Sequence, residues 1–339
     1  MVRKTTNELL QKAKRAKSDE FYTQLCDIER ELQYYPDCFY GEVVYCNCDD
    51  PRVSNFYRFF KENFHKLGLR KLIASFYKKQ SYGLFETHTN DRPYYCEYEG
   101  SDESMTIEYF RGNGDFRSKE CVELLLQSDI VVTNPPFSLF REFISQLVKY
   151  DKQFLIIGNI NAITYKEIFA LIQENKVWLG VNLGRGISGF IVPSHYQQYG
   201  TEISVNQEGQ TIIATNGCLW LTNLEQKQRH EDIILTKNYY GNEDAYPTYD
   251  NCNGINVDKT QDIPKDYAGL MGVPITFLHK YNPEQFEIVK FRKGDDGKDL
   301  SINGKCPYFR ILIRNKRILR HYNVAFSNVR ERVMNTFAR

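Results

Sequence analysis

Long apolar runs are missing from this sequence. No stretch approaches the ~18 apolar residues needed to cross a bilayer, and the polar opening does not read as a secretory signal. Paired metal-binding spacings are missing too. The 9 cysteines form no C-x-x-C, and the 6 histidines fall at no metal spacing, so no metal is expected. There is no G-x-x-x-x-G-K-[ST], which argues against a P-loop enzyme, and no G-x-S-x-G. A global field is also absent. The net charge is only +1, so any basic surface for a polyanion must be local. Two stretches qualify. One is the start of the chain, with Arg3, Lys4, Lys12, Lys14, Arg15 and Lys17. The other is the end, from Lys305 through Arg310, Arg314, Lys316, Arg317 and Arg320 to Arg339. Such clusters hold phosphates or are simply solvated termini. The odd cysteine count, with no export signal, points to reduced thiols in a cytoplasm.

What is present is a core. The chain has 339 residues and 42% hydrophobic content, enough for one large domain or two. Residues 5–17 suit a basic helix, and Ser18 suits the cap of a helix running towards Tyr35, where Pro36 stops it. Val43 to Cys48 reads as a buried strand, and Cys46 and Cys48 share a face if the strand runs that far. Ser54 opens an amphipathic helix with Phe56, Phe59, Phe60, Phe64 and Leu67 on one side, closed by Gly68. Further strands are expected at Lys71–Tyr77, Met105–Phe110, Asp129–Thr133, Phe154–Asn159, Val177–Val181 and Cys218–Thr222. Helices fit Ser118–Gln127, Phe137–Tyr150 (apolar face Phe140, Phe143, Ile144, Leu147 and Val148) and a segment capped by Thr164. Residues 78–104 look like an excursion from the sheet.

This alternation predicts an α/β fold with a doubly wound, mostly parallel sheet. The rhythm fails after Val181, and Cys218–Thr222 suits an antiparallel return. From about Glu225 the chain is rich in Tyr, Asn, Asp and Pro, and reads as a smaller, irregular second domain. The expected division is therefore 1–224 and 225–339.

The chemistry concentrates at Asn134-Pro135-Pro136-Phe137. Two prolines stop the preceding strand. The turn therefore lies at the carboxyl edge of the sheet, where open α/β sheets bind ligands. An exocyclic aromatic amine is a poor nucleophile because its lone pair is delocalised into the ring. The Asn134 side-chain oxygen and the Pro135 carbonyl suit acceptors for its two N–H bonds, which frees that lone pair to attack an electrophilic methyl. Phe137 suits a stacking plate. Positioning and hydrogen bonds that strengthen as charge develops would supply most of the rate. A base in a duplex reaches such a pocket only by flipping out. The bland alternative is a strand that ends on Pro-Pro for structural reasons alone. Gly112-Asn113-Gly114 lacks a third glycine and is weak as a phosphate loop.

At these residues the sequence resembles the S-adenosylmethionine-dependent amino-methyltransferases, whose signature is [DN]-P-P-[YF]. It is more closely similar to the EcoRI-type adenine-specific DNA methyltransferases. That similarity runs through Ser18–Gln24, Val43–Phe56, Gly114–Arg117, Ile130–Phe140, Trp178–Pro193, Met271–Phe291 and Asp299–Arg310. It leaves roughly the last twenty residues unexplained. The resemblance implies methyl transfer to N6 of adenine in double-stranded DNA, with GAATTC as the site and its second adenine as target. It also implies a restriction endonuclease as genetic partner. Asn134, Pro135, Pro136 and Phe137 would hold the target base. Phe21, Tyr22, Thr23, Asn47, Cys48, Asp49, Asp50, Asp115 and Phe116 would line the S-adenosylmethionine site. Two features depart from the pattern. Cys48-Asp49-Asp50-Pro51 replaces the usual Gly-rich loop, and Ala74-Ser75-Phe76-Tyr77 offers no acid for the ribose, leaving Asp49 or Asp50 for that role. A glutamine-N5 protein methyltransferase and a non-catalytic nucleic-acid-binding module are the competing readings.

Overall fold

The computed structural model describes residues 22–48, 50–77, 92–182, 186–192, 203–206, 208–215 and 217–318. Phe21, Asp49, the expected basic helix at 5–17 and the Ser18 cap lie outside the described residues. The chain divides into two compact units, Met1–Glu225 and Gln226–Arg339.

The first unit is built on a mixed sheet. Its strands are Val43–Cys46 (β1), Lys71–Ser75 (β2), Tyr94–Tyr98 (β3), Thr106–Tyr109 (β4), Ile130–Thr133 (β5), Gln153–Asn159 (β6), Trp178–Leu179 (β7) and Cys218–Thr222 (β8). Their spatial order is β4-β3-β2-β1-β5-β6-β8-β7. The four central strands β2, β1, β5 and β6 are mutually parallel. The strands beyond them on either side join by antiparallel pairing. Every residue of β1 and β5 is buried, as expected of parallel strands covered on both faces.

Alternation along these strands sends one set of side chains into a single core. Val44, Cys46, Ile130, Val132, Leu155, Ile157 and Trp220 meet Ile28 and Leu32 of helix Leu25–Leu32 (α1) and Phe56 and Phe60 of helix Asn55–Glu62 (α2). The Ser54 hydroxyl caps α2 by accepting from the Tyr57 N–H. The aromatic stripe does not form one continuous helix. α2 ends at Asn63, and a further turn, Phe64–Leu67, runs to Gly68 at φ +64°. Helix Lys119–Gln127 (α3) is capped by Ser118. Helix Phe140–Lys149 (α4) follows a 3-10 turn at Phe137–Leu139.

Several expectations need correction. Met105–Phe110 is not a member of the parallel set. Its strand, β4, is the outermost, fully exposed, and antiparallel to β3. The excursion at 78–104 itself supplies β3, whose Tyr94, Cys96 and Tyr98 turn inward. Thr164 does not cap helix Lys166–Gln173 (α5). Its hydroxyl donates to the Asn161 carbonyl within the preceding 3-10 turn. Val148 is exposed, not part of the α4 apolar face. Strand β1 stops at Cys46, and Cys48 adopts φ +78°, so the two thiols do not share a strand face. All 9 cysteines are free thiols.

The Gly-rich stretch after Val181 is more ordered than its composition suggests. It supplies strands Gly189–Val192, Ile203–Val205 and Thr211–Ala214, which join Tyr22–Thr23 in a four-stranded antiparallel sheet. The second unit, expected to be irregular, also holds a sheet. Its strands Thr248–Tyr249 (β9), Cys252–Asn256 (β10), Leu270–Pro274 (β11), Phe286–Phe291 (β12) and Arg310–Asn315 (β13) run in the order β9-β10-β11-β13-β12. No helix among the described residues is long and apolar enough to cross a membrane.

Candidate active site

The Asn134-Pro135-Pro136-Phe137 turn leaves the end of β5, the strand beside β1. Register makes the two strands end together, and the Thr133 hydroxyl donates to the Asn47 carbonyl across them. Asn134 is buried at 8% exposure and Asn47 at 4%. Two carboxamides thus stand at neighbouring carboxyl ends in the middle of the sheet. Phe137 is half-buried against the core and faces Phe190, ring centroids 6.0 Å apart.

Phe190 comes from a different element. It lies on Gly189–Val192, directly opposite Thr23. Thr23 is buried, and its carbonyl accepts from the Asn55 side chain at 2.8 Å. Asn55 is the first residue of α2. The strand at Tyr22–Thr23 is therefore tied to the helix that follows β1 and the Asn47–Cys48 turn. Thr23 Oγ1 and Asn47 Oδ1 are buried with no hydrogen-bond partner among the described residues. A buried polar atom left unsatisfied costs about 1–3 kcal/mol. Two such atoms beside a first-strand turn fit a ligand with polar groups of its own, as a nucleoside-type cofactor has.

The acidic candidates are already engaged. Asp50 is buried, and it accepts from the Tyr94 hydroxyl at 2.8 Å and from the Arg52 backbone and guanidinium. Burial pushes its carboxyl up, but these hydrogen bonds outweigh burial and hold it below the usual carboxylate range. Asp50 is thus bound into the turn that follows β1. Asp115 follows Gly114, whose φ of +76° and close approach to the Phe76 carbonyl leave no room for a side chain. The Arg117 guanidinium binds Asp115 and holds its carboxyl low. Arg117 also reaches Glu142 on α4 at 2.8 Å. Phe116 is buried edge-on against Phe143, 5.1 Å between centroids, and its carbonyl accepts from Gln146. The loop carrying Asp115 and Phe116 is therefore fastened to the helix that follows the Asn-Pro-Pro-Phe turn.

Sequence reasoning missed two residues of consequence, Asp27 and Glu31 on α1. Both are fully buried. Glu31 accepts from the Val181 and Asn182 N–H groups, the Asn182 amide and the Tyr35 hydroxyl, at 2.7–3.0 Å. Asp27 accepts from the Ser188 N–H and hydroxyl. Burial pushes both carboxyls above the usual range despite these donors. Together they fasten both ends of the segment 181–189 and so position Phe190 in front of Phe137. Their signal was legible: two acids four apart on the apolar face that carries Ile28 and Leu32. An acid on a buried face must bind something. Among the described residues no cluster of His, Cys, Asp or Glu is arranged to hold a metal ion.

A parallel α/β core that ends on Asn-Pro-Pro-aromatic beside a polar, ligand-fitting turn defines a class, the enzymes that methylate an exocyclic amino group. Comparison with known proteins narrows it. The family model described as adenine-specific methyltransferase EcoRI matches residues 9–316. The Type II methyltransferase M.EcoRI of Escherichia coli is 62% identical over 324 residues, covering 94% of this chain and 99% of that protein. The Type II methyltransferases M.MpnI of Mycoplasma pneumoniae and M.MgeORF184P of Mycoplasma genitalium are 37% and 38% identical. They cover 90% and 91% of the chain and 98% of each relative. No solved structure matches. The chain belongs to the EcoRI adenine-specific methyltransferase family. It is a DNA adenine methyltransferase of the kind that serves restriction–modification.

Proposed function

We propose that the chain transfers the methyl group of S-adenosylmethionine to N6 of an adenine flipped out of duplex DNA, at the second adenine of GAATTC. The observation that carries this reading is the placement of buried Asn134 and Asn47 at the carboxyl ends of adjoining strands, with Phe137 following in the same turn. Residues 1–224 are the catalytic domain, a doubly wound sheet of the S-adenosylmethionine-dependent type. Residues 225–339 recognise the DNA. The cofactor supplies a methyl group on a sulfonium, and the chain's own groups do the rest. Asn134 Oδ1 and the Pro135 carbonyl accept hydrogen bonds from the two N6–H groups and draw the lone pair out of the ring; once N6 carries the methyl, one of its protons is lost to solvent. Phe137 covers one face of the base, and Phe190 holds Phe137 in place. Pro136 fixes the turn so that little reorganisation accompanies charge development.

Thr23 and Asn47 offer the orphaned oxygens to the cofactor, with Tyr22 and Cys48 beside them. Phe116 and Asp115 are proposed at its adenine. Asp115 serves there only if Arg117 shares it, and Asp50 is proposed to shape the turn instead of binding the ribose. Phe21 and Asp49 keep their proposed places in the cofactor site. The enzyme works in the cytoplasm, paired genetically with an endonuclease that cuts the unmethylated site.

Tritiated-methyl transfer to duplexes with and without GAATTC tests the reading. Label is expected only in duplexes that contain the site, and those should resist a GAATTC-cutting endonuclease. Label in both duplexes would reject the specificity. Label in neither would reject the substrate.

A further inference from the structure

The second unit presents one aromatic side chain in an unusual way. Ile302 and Lys305 close a two-residue turn, each N–H bonding the other's carbonyl at 2.8 and 3.0 Å. Asn303 and Gly304 at its tip have φ of +50° and +71°, the left-handed pair that such hairpin turns need. Both of their N–H groups donate to the Asp250 carboxylate, at 3.0 and 2.9 Å. This fixes one end of the segment 305–310. The other end is fixed by Arg310, whose buried guanidinium bonds Asn256 at 3.0 Å and Asp258 at 3.2 Å. Phe309 is held as well. The Arg292 guanidinium lies 3.9 Å from its ring centre and also binds Asp299 at 2.6 Å. Between these anchors Tyr308 is 89% exposed. It stands at the rim of a cavity of about 760 Å³ walled by Pro274, Ile275, Arg292 and Phe309.

The backbone that carries this phenol is fixed on both sides, and among the described residues the ring is left almost wholly to solvent. It is built to meet a flat apolar face. Lys305 is exposed on the same segment, and its ammonium favours a negatively charged partner, while Arg292 beside it is already paired with Asp299. A DNA base within its phosphate backbone has both properties. An enzyme that removes a base from the stack also uncovers the faces of its neighbours.

We propose that Tyr308 is a DNA-stacking residue, its ring lying on a base of the duplex while Lys305 contacts a phosphate. This rests on the reading of the chain as an enzyme of duplex DNA. Fluorescence anisotropy with a labelled GAATTC duplex, run from low to moderate salt, tests it. Tyr308→Ala is expected to lose affinity by about 5- to 100-fold, the range of one base–aromatic stack, with the salt dependence unchanged. Tyr308→Phe should stay within about 2-fold. Lys305→Ala should lower the salt slope by about one. Because the ring is exposed, Tyr308→Ala should keep the wild-type urea midpoint and cofactor affinity.

Wild-type affinity and methylation rate in Tyr308→Ala would overturn the proposal. So would an unchanged affinity with altered sedimentation of the free protein, which would make this face a contact between copies. Failure of the underlying reading looks different, because wild-type protein would then neither bind nor label the duplex.

Discussion

Phe137 and Tyr308 invite comparison. Both are aromatic side chains assigned to a base, and their supports are opposite in kind. Phe137 is half-buried, backed by the core and by Phe190, and follows two prolines at the centre of a parallel sheet. Tyr308 is almost wholly exposed among the described residues, and it is the backbone on either side of it that a turn, a carboxylate and two guanidiniums hold. A stacking surface inside a fold is rigid because packing leaves no alternative. One on the surface must be made rigid by polar anchors. The first kind leaves a short local motif. The second is scattered over Asp250, Asn256, Asp258, Arg292 and Arg310, and no local string announces it.

The largest effect that tests this contrast is at the buried turn. Asn134→Ala is expected to slow methyl transfer by about 10²–10³-fold, the size of one lost acceptor or donor at a developing charge. Calorimetry should show cofactor binding nearly unchanged, and full activity would remove Asn134 from the chemistry. Next is the support behind Phe190. Glu31→Ala strands the Val181 and Asn182 N–H groups and should cost about 2–4 kcal/mol in urea unfolding. Glu31→Gln should cost less, since its amide oxygen still accepts.

That pair also has a pH signature. Burial raises the Glu31 carboxyl in the folded state. Its contribution to stability is then full below the ordinary carboxylate value and falls as pH rises through the raised one. The stability difference between wild type and Glu31→Gln should shrink over that window, and a difference that grows would contradict a buried, raised carboxyl. Phe137→Ala should weaken base capture by about 1–3 kcal/mol, seen as reduced 2-aminopurine fluorescence at the target position. In the Asp115 loop, Gly114→Ala puts a methyl at φ +76° and 2.5 Å from the Phe76 backbone carbonyl, so urea unfolding should show a cost above the ~1–3 kcal/mol of left-handed strain alone.

The legible parts of the sequence were those whose neighbours are close in the chain. Buried parallel strands announce themselves as short apolar runs, and β1, β2, β5 and β6 were all expected. The Ser54 and Ser118 caps were readable for the same reason. Strand β3 was not. Tyr-Tyr-Cys-Glu-Tyr alternates correctly but carries no β-branched residue, and it follows Arg92-Pro93. The four-stranded sheet was hidden because a β-carbon at Gly189 would fall only 2.8 Å from the Ile213 carbonyl and the Ile212 side chain, so a glycine that looked like loop is there for close packing. The sheet of the second unit was hidden by turns such as Asn251 and Asn303, which dominate its composition. In the candidate site the Asn-Pro-Pro-Phe string was readable. The Arg52 and Arg117 partners of Asp50 and Asp115 lie two residues away from them, yet nothing in the string shows which way the guanidiniums fold.

The Thr133–Asn47 bridge has a thermodynamic side. It is a hydrogen bond between the residue that leads into the proposed base clamp and the residue that bears one of the orphaned oxygens of the proposed cofactor site. Any ligand that draws Asn47 into place acts on Thr133, and the reverse holds with equal strength, because coupling between two binding equilibria is reciprocal. Titration of DNA with and without cofactor, and of cofactor with and without DNA, should give the same factor. Thr133→Val, which keeps the shape and removes the donor, should bring both factors towards one together.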